Sequence, residues 1–398
     1  MVEIENIETP CYIFDEKRFL CNLNKMKESF SSSWNNDVII GYSFKTNSLP
    51  FLLNLVKKND CYAEIVSSDE FELAKKIGFS SRNIVFNGPV KGNQAIIDVL
   101  EAGGIVNLDN FSEIELLAER KPIFQKCWKV GIRINFNLEH ECPSETIMGD
   151  EPGRFGFNIE NGSFEKAIHE INKLDYVKIV GLHGHHSTKT KSLNIFRTIS
   201  RKLVECSKIV DNDFEYVDIG GCFFGDKPGA PSFKNYAEVI TEELRKTSKF
   251  DSAKLVIEPG TSLDASSFSY VCEIRDIKDV ASRRILTSNG SLIHIDPQMH
   301  GIKFRTQLLT ANEIVYEGMQ VISGFTCIEK DRMAFLENEK KLTIGDKIIF
   351  ENTGAYTLAM APLFIQFFPI VYVKTNETLR VIRNKWTCNE YLSNCEVD

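Results

Sequence analysis

The feature that most constrains the fold of this chain is an alternation. Eight short runs rich in β-branched and aromatic residues follow one another at 38–44, 61–66, 83–87, 104–108, 128–136, 177–183, 215–219 and 254–258. Between most of them lies a stretch with apolar residues at helical spacing, at 49–56, 69–77, 95–102, 111–118, 164–174, 193–210 and 236–245. The strand runs are nearly continuous in apolar character, as strands buried on both faces are. Strand–helix alternation of this length predicts a parallel (β/α)8 barrel over 37–265.

The rhythm changes at about Ser266. Runs of strand type follow with few helices between them, at 268–274, 284–287, 291–295, 314–321, 346–352, 370–373 and 380–383. They predict an all-β domain over 266–398. The segment Thr9-Pro10-Cys11-Tyr12-Ile13-Phe14 is also strand-like but precedes the barrel. Residues 1–36, a strand and a helix, are therefore expected to join the β domain, which makes that domain discontinuous. The expected fold class is α/β: a TIM barrel plus a C-terminal all-β domain completed by the N-terminal strand.

Bulk properties remove several functional classes. The 398 residues carry a net charge of −8 with no block of Lys or Arg, which argues against a nucleic-acid partner and against an anionic membrane surface. No stretch of 18 apolar residues occurs, so no transmembrane helix is expected, and the N-terminus has no signal-peptide pattern. The 11 cysteines are scattered without a C-x-x-C pair, as expected of reduced thiols in the cytoplasm, with no disulfide framework and no cysteine-built metal site.

A barrel of this kind places its active site at the carboxyl ends of the strands. Reading those ends in order gives Lys45 after the first run, Glu64 in the second, Arg133 in the fifth, His183-Gly184-His185-His186-Ser187-Thr188 after the sixth, Asp218-Ile219-Gly220-Gly221-Cys222 after the seventh and Glu258-Pro259-Gly260-Thr261 after the eighth. A lysine at the end of a buried strand is partly desolvated, which favours the neutral amine as a Schiff-base nucleophile. Taken alone it reads as a surface lysine just past a strand. Gly220, Gly221 and Gly260 stand in the loops that bind phosphate in many barrels, though glycines there also serve tight turns. Three histidines in four residues suggest a metal, but no carboxylate or cysteine stands at ligand spacing beside them, so no metal is expected. An imidazole stacked on a flat cofactor ring fits better. Glu258 is either a structural cap or the partner of a protonated ring nitrogen. Phosphate loops, a Schiff-base lysine, a stacking imidazole and a carboxylate together describe a pyridoxal 5'-phosphate site.

With these residues in hand, the chain resembles the fold-type III pyridoxal-phosphate decarboxylases, the group of ornithine, arginine and diaminopimelate decarboxylases within the alanine racemase-like barrels. The resemblance rests on Tyr42-Ser43-Phe44-Lys45-Thr46-Asn47, Arg154-Phe155-Gly156, Leu182-His183-Gly184-His185, Asp218-Ile219-Gly220-Gly221, Glu258-Pro259-Gly260, Cys327-Ile328-Glu329 and Gly354-Ala355-Tyr356-Thr357, in the family's order. It implies that Lys45 is the Schiff-base lysine and that His185 stacks on the cofactor ring. Thr188, Gly220, Gly221, Cys222, Gly260, Thr261 and Tyr356 would serve the cofactor, with Glu64 and Arg133 beside them and Glu258 at the pyridine nitrogen. Cys327, from the other subunit of a homodimer with shared active sites, would reprotonate the substrate carbon after carbon dioxide leaves. Ile328, Glu329, Tyr356 and Phe364 would line the substrate side. The implied function is α-decarboxylation of an amino acid, a diamino acid of the ornithine, lysine or diaminopimelate kind or a derivative of one.

The chain departs from the family pattern in the loop His185-His186-Ser187-Thr188, which replaces small residues, and at three single positions. Thr261 replaces an arginine, Cys222 replaces the third glycine of the loop, and Ile328 replaces an acidic residue, with Glu329 one position on. Two alternatives remain: an amino-acid racemase on the same fold, where the resemblance implies an arginine in place of Glu258, and a pyridoxal-phosphate-binding protein without turnover.

Overall fold

The computed structural model describes residues 7–225, 229–376 and 378–396. The chain divides into two compact units. One runs from Asn22 to Ser262, and the other joins the segment up to Cys21 to everything from Leu263.

The N-terminal strand β1 (Cys11–Asp15) is followed by helix α1 (Glu16–Ser33). The first unit then takes up eight parallel strands. These are β2 (Val38–Ser43), β3 (Tyr62–Ile65), β4 (Ile84–Phe86), β5 (Ile105–Leu108), β6 (Trp128–Asn135), β8 (Val177–His183), β9 (Tyr216–Asp218) and β10 (Lys254–Ile257). A two-residue strand, β7 (Phe157–Asn158), lies in sequence between β6 and β8 and pairs with β6 outside the ring. Pairing runs β5-β4-β3-β2-β10-β9-β8-β6 and returns from β6 to β5, so the barrel closes. All eight strands fall within the runs read from the sequence.

Local chemistry sets the helix ends. Ser67 caps the helix Ser68–Ile77 by accepting from the Glu70 N–H, and Gly78, at φ 92°, ends it in the left-handed conformation that glycine adopts without a Cβ clash. Ser192 and Ser232 cap the helices Leu193–Ser207 and Phe233–Leu244 in the same way. Ile39, Val85, Val180, Tyr216 and Val256, one from each of five strands, make a core cluster in the barrel. Burying an aliphatic side chain of this size is worth about 1.5–3 kcal/mol.

Tyr216 dictates two glycines. A Cβ at Gly131 would collide with the Tyr216 hydroxyl and Asn107, and one at Gly181 would collide with the Tyr216 ring. The phenol occupies space that β6 and β8 leave open.

In the other unit the strands are β11 (Phe268–Val280), β12 (Arg283–Ser288), β13 (Thr306–Leu309), β14 (Met319–Ser323), β15 (Arg332–Glu337), β16 (Lys347–Glu351), β17 (Ile370–Thr375) and β18 (Thr378–Arg383). The N-terminal strand enters this sheet, antiparallel to β11 and parallel to β17. Cys11, Ile13, Val271, Ile349 and Ile370 pack together around it.

Some expectations are corrected. The units divide at Cys21/Asn22, inside α1, rather than after residue 36. Residues 291–295, expected as a strand, contain a helical turn, Leu292–Ile295, because the Ser291 hydroxyl caps it by accepting from the Ile293 N–H. Of 314–321 only the end is strand, and β13 and β15 escaped the sequence reading. Among the described residues no helix is long and apolar enough to cross a membrane.

Candidate active site

Lys45 sits in the single 3-10 turn Phe44–Thr46 that follows β2. The parallel register sets Ser43 beside Glu64 of β3. Glu64 therefore meets both neighbours: it accepts from Ser43 Oγ at 2.6 Å and from Lys45 Nζ at 2.5 Å. The Glu64 side chain is 1% exposed and that of Lys45 38%. Burial by itself raises a carboxyl pKa, but the Lys45 charge and the donors Lys45, Ser43 and Asn87 outweigh it and hold Glu64 below its ordinary value.

Glu258 follows β10 and is buried. Its Oε1 accepts from Asn87 Nδ2 at 2.5 Å, and its Oε2 lies 3.7 Å from His183 Nε2. Asp218, at the end of β9, accepts from the Gly220 N–H at 2.9 Å and from Asn107 Nδ2 at 3.0 Å. Three carboxyl groups this close do not all ionise. Glu64 holds its charge because Lys45 faces it. Burial pushes Glu258 well up, and the charges of Asp218 and Glu64 push it further; burial also raises Asp218.

Ligand atoms of His183, Asp218 and Glu258 lie within 4.8 Å of one another. The sequence reading saw no carboxylate beside the histidines, yet the barrel supplies two from later strands. Alternation along the chain hides this, because β9 and β10 reach His183 only through the parallel sheet.

His183 and His185 have parallel rings, 12° apart in plane and 6.5 Å between centroids, while His186 packs edge-on against Phe136. Burial and then the Arg133 charge lower all three histidines, His186 to about 4. His185 Nδ1 accepts from the Gly221 N–H at 3.2 Å, which assigns its proton to Nε2. Arg133 pairs with Asp109 at 3.4 Å, donates to the His185 carbonyl and lies over the Phe155 ring.

The glycines at the strand ends serve loop packing. A Cβ at Gly220 would meet the His185 ring, one at Gly221 the Glu258 carbonyl, and one at Gly260 the Thr46 hydroxyl. Cys222 keeps a left-handed backbone, φ 72°, and its Sγ lies 3.7 Å from the hydroxyl of buried Thr188. Thr261 opens the short helix Thr261–Asp264.

Lys45, Glu64, Asn87, Arg133, His183, His185 and Glu258 line a cavity of about 720 Å³, whereas Thr188, Asp218, Gly220, Gly221, Cys222, Gly260 and Thr261 lie outside its lining. One wall is the segment after β6, with Phe136, Glu139, Ile147, Met148, Asp150 and Glu151. The sequence reading missed this wall, although Arg154 and Phe155 of its Arg154-Phe155-Gly156 motif lie within it. It also missed Asn107, an amide inside an otherwise apolar strand run, and Asn87, which directly follows β4. Both ring nitrogens of His183, Arg133 Nε and Thr46 Oγ1 are buried without a hydrogen-bond partner. A cavity with an amine, a buried acid, a stacking imidazole and unpaired donors fits a flat, anionic, carbonyl-bearing cofactor.

In the other unit, Cys327, Ile328 and Glu329 lie on the loop between β14 and β15, where Cys327 is exposed. Tyr356 is 41% exposed in a left-handed turn at φ 57°, and Phe364 is 42% exposed.

Residues 18–265 match the family model described as the pyridoxal-binding domain of the pyridoxal-dependent decarboxylases. The chain is 28% identical over 375 residues to the diaminopimelate decarboxylase of Methanocaldococcus jannaschii, covering 90% of this chain and 84% of that one. The crystal structure of an M. jannaschii diaminopimelate decarboxylase in complex with L-lysine superposes with a TM-score of 0.89 at 25% identity, over 99% of this chain and 93% of that one. The arginine decarboxylase of Paramecium bursaria Chlorella virus gives 0.77 at 18% identity, over 93% and 97%, a likeness of fold alone.

Proposed function

The chain belongs to the pyridoxal-dependent decarboxylase family, and from that premise we propose that it removes the α-carboxylate of a diamino acid or of a derivative of one. The observation that carries this reading is the placement of Lys45 with Glu64, and of Glu258 with Asn87, on one cavity. Bound pyridoxal phosphate supplies an electron sink for the electrons of the bond that breaks. In this reading Lys45 holds the cofactor covalently, and Glu64 fixes the lysine's position and charge. Glu258 stands at the pyridine nitrogen, a carboxyl where a racemase of this fold is expected to carry arginine. His185 stacks on the ring as a neutral imidazole. Thr188, Gly220, Gly221, Cys222, Gly260, Thr261 and Tyr356 serve the cofactor, with Arg133 beside them.

Cys327 returns a proton to the substrate carbon from the second subunit of a homodimer, and Ile328, Glu329, Tyr356 and Phe364 face the substrate. Exposure of Cys327, Tyr356 and Phe364 in the single chain supports a role at such an interface. The acidic side chains Glu139, Asp150 and Glu151 on the cavity wall support a substrate with a distal amine. The names of the relatives support the diamino acid class, and Ile328 in place of an acidic residue supports a derivatised member of it. Eleven free cysteines support a reducing, cytoplasmic setting.

The test is a screen of diaminopimelate, lysine, ornithine, arginine and their N-acylated forms for carbon dioxide release by the protein loaded with pyridoxal phosphate. Release from one of them supports the reading. Loss of optical rotation without carbon dioxide would replace it with racemisation.

A further inference from the structure

A chain of amides runs beneath the cavity. Tyr216 donates its hydroxyl to Asn107 Oδ1 at 2.8 Å. Asn107 Nδ2 donates to Asn87 Oδ1 at 2.9 Å and to Asp218 at 3.0 Å. Asn87 Nδ2 in turn donates to Glu64 Oε1 at 3.1 Å and to Glu258 Oε1 at 2.5 Å. The orientation of both amides follows from chemistry. Glu64, which holds its charge, can only accept, so the Asn87 NH₂ must point there and its oxygen must face Asn107. The Asn87 oxygen can in turn only accept, which fixes the Asn107 NH₂ toward it. Asn87 and Asn107 are 3% and 1% exposed, so water does not substitute for these bonds.

We propose that Asn87 is a positioning residue for the reaction: held by Asn107, its one amide ties Glu64, the partner of Lys45, to Glu258, so that the carboxyl groups at the two ends of the cofactor site are set as one unit. This inference rests on the reading of the cavity as the pyridoxal phosphate site. A donor withdrawn from a carboxylate makes it more basic. Without Asn87, Glu64 pulls harder on the positive charge at Lys45, and Glu258 loses the bond that fixes one of its oxygens.

The test uses the holoenzyme and three variants, Asn87→Ala, Asn107→Leu and the double variant. The readouts are the pH midpoint of the bound cofactor's absorbance, kcat, KM and Tm. Absorbance of a bound, borohydride-reducible cofactor in the unsubstituted protein tests the site itself; its absence there would fail the underlying reading before any variant is compared. Given that band, Asn87→Ala is expected to move the midpoint upward by about half a pH unit or more and to lower kcat by about tenfold or more, with KM changed less. Asn107→Leu is expected to move the midpoint in the same direction by less, and the double variant no further than Asn87→Ala alone. An unmoved midpoint beside a lowered Tm, or shifts that add in the double variant, would overturn the proposal. If Asn87→Ala does not fold, Asn87→Leu fills the space without offering a donor to either carboxyl group, and an unshifted midpoint in that variant is equally fatal.

Discussion

Lys45 Nζ lies 2.5 Å from a carboxylate oxygen of Glu64 on the neighbouring strand. The lysine thus meets a buried counter-charge that also accepts from Ser43 and Asn87. Its position is set by an ion pair as well as by partial desolvation, so a change at Glu64 acts directly on the group that holds the cofactor.

Glu64→Gln tests that link through acid stability. The folded-state pKa of Glu64 is depressed, so its ionised form stabilises the fold above the unfolded value near 4.5, and this contribution is lost as the pH falls through the folded value. The Tm deficit of Glu64→Gln is therefore expected at pH 7 and shrinks below about pH 4.5. A deficit independent of pH assigns the residue a packing role only.

Glu258→Gln keeps the size of the side chain and removes its ability to carry charge. The variant is expected to retain bound cofactor while kcat falls by about 10² or more. Cofactor absorbance and carbon dioxide release separate the two. An unchanged kcat makes Glu258 a structural cap.

The buried histidines predict a second pH response. The folded-state pKa of His186 lies at about 4, below the unfolded value near 6.5. Between those values the unfolded chain takes up a proton that the folded one refuses, so stability falls with pH across that window. Replacing His186 with Phe, which keeps an aromatic ring against Phe136, is expected to flatten the fall in Tm between pH 6.5 and 4.5. An equal slope in the two proteins removes His186 from the account.

Gly181→Ala forces a methyl group into the Tyr216 ring. The expected cost is about 1–3 kcal/mol or more, read as a lowered denaturation midpoint. Tyr216→Leu is expected to restore part of it in the double variant. Additive losses would mean that some other neighbour sets the glycine.

The barrel was legible because each strand is a short apolar run bounded by turn residues, and Lys45, His185 and Glu258 were legible because chemistry in such a barrel gathers at strand ends. The β unit was harder. Leu292-Ile293-His294-Ile295 is an apolar run that suits a strand or a helix, and only the Ser291 hydroxyl decides. Asn87, Asn107 and Asp218 act through strands that meet in space but not in sequence, so no local pattern announces their network. Ile147 and Met148 on the cavity wall stand in a stretch without periodicity, which reads as an ordinary loop.

Cys327→Ala is expected to leave cofactor binding intact and to lower kcat by about 10². Mixing it with Lys45→Ala protein under subunit exchange yields about half heterodimers, each with one intact shared site, so about a quarter of the original activity is expected to return. A mixture that exchanges subunits and stays inactive places Cys327 outside a shared site.

Lys45 is the lysine expected to hold the cofactor, and its rival is Lys91, a fully buried lysine paired with Glu113 at 2.7 Å. Protein loaded with pyridoxal phosphate is reduced with borohydride, digested, and the pyridoxyl group located by peptide mass spectrometry. The label is expected on the peptide containing Lys45, with no reducible adduct in Lys45→Ala. A label on Lys91 or any other lysine, or an adduct that survives in Lys45→Ala, contradicts it.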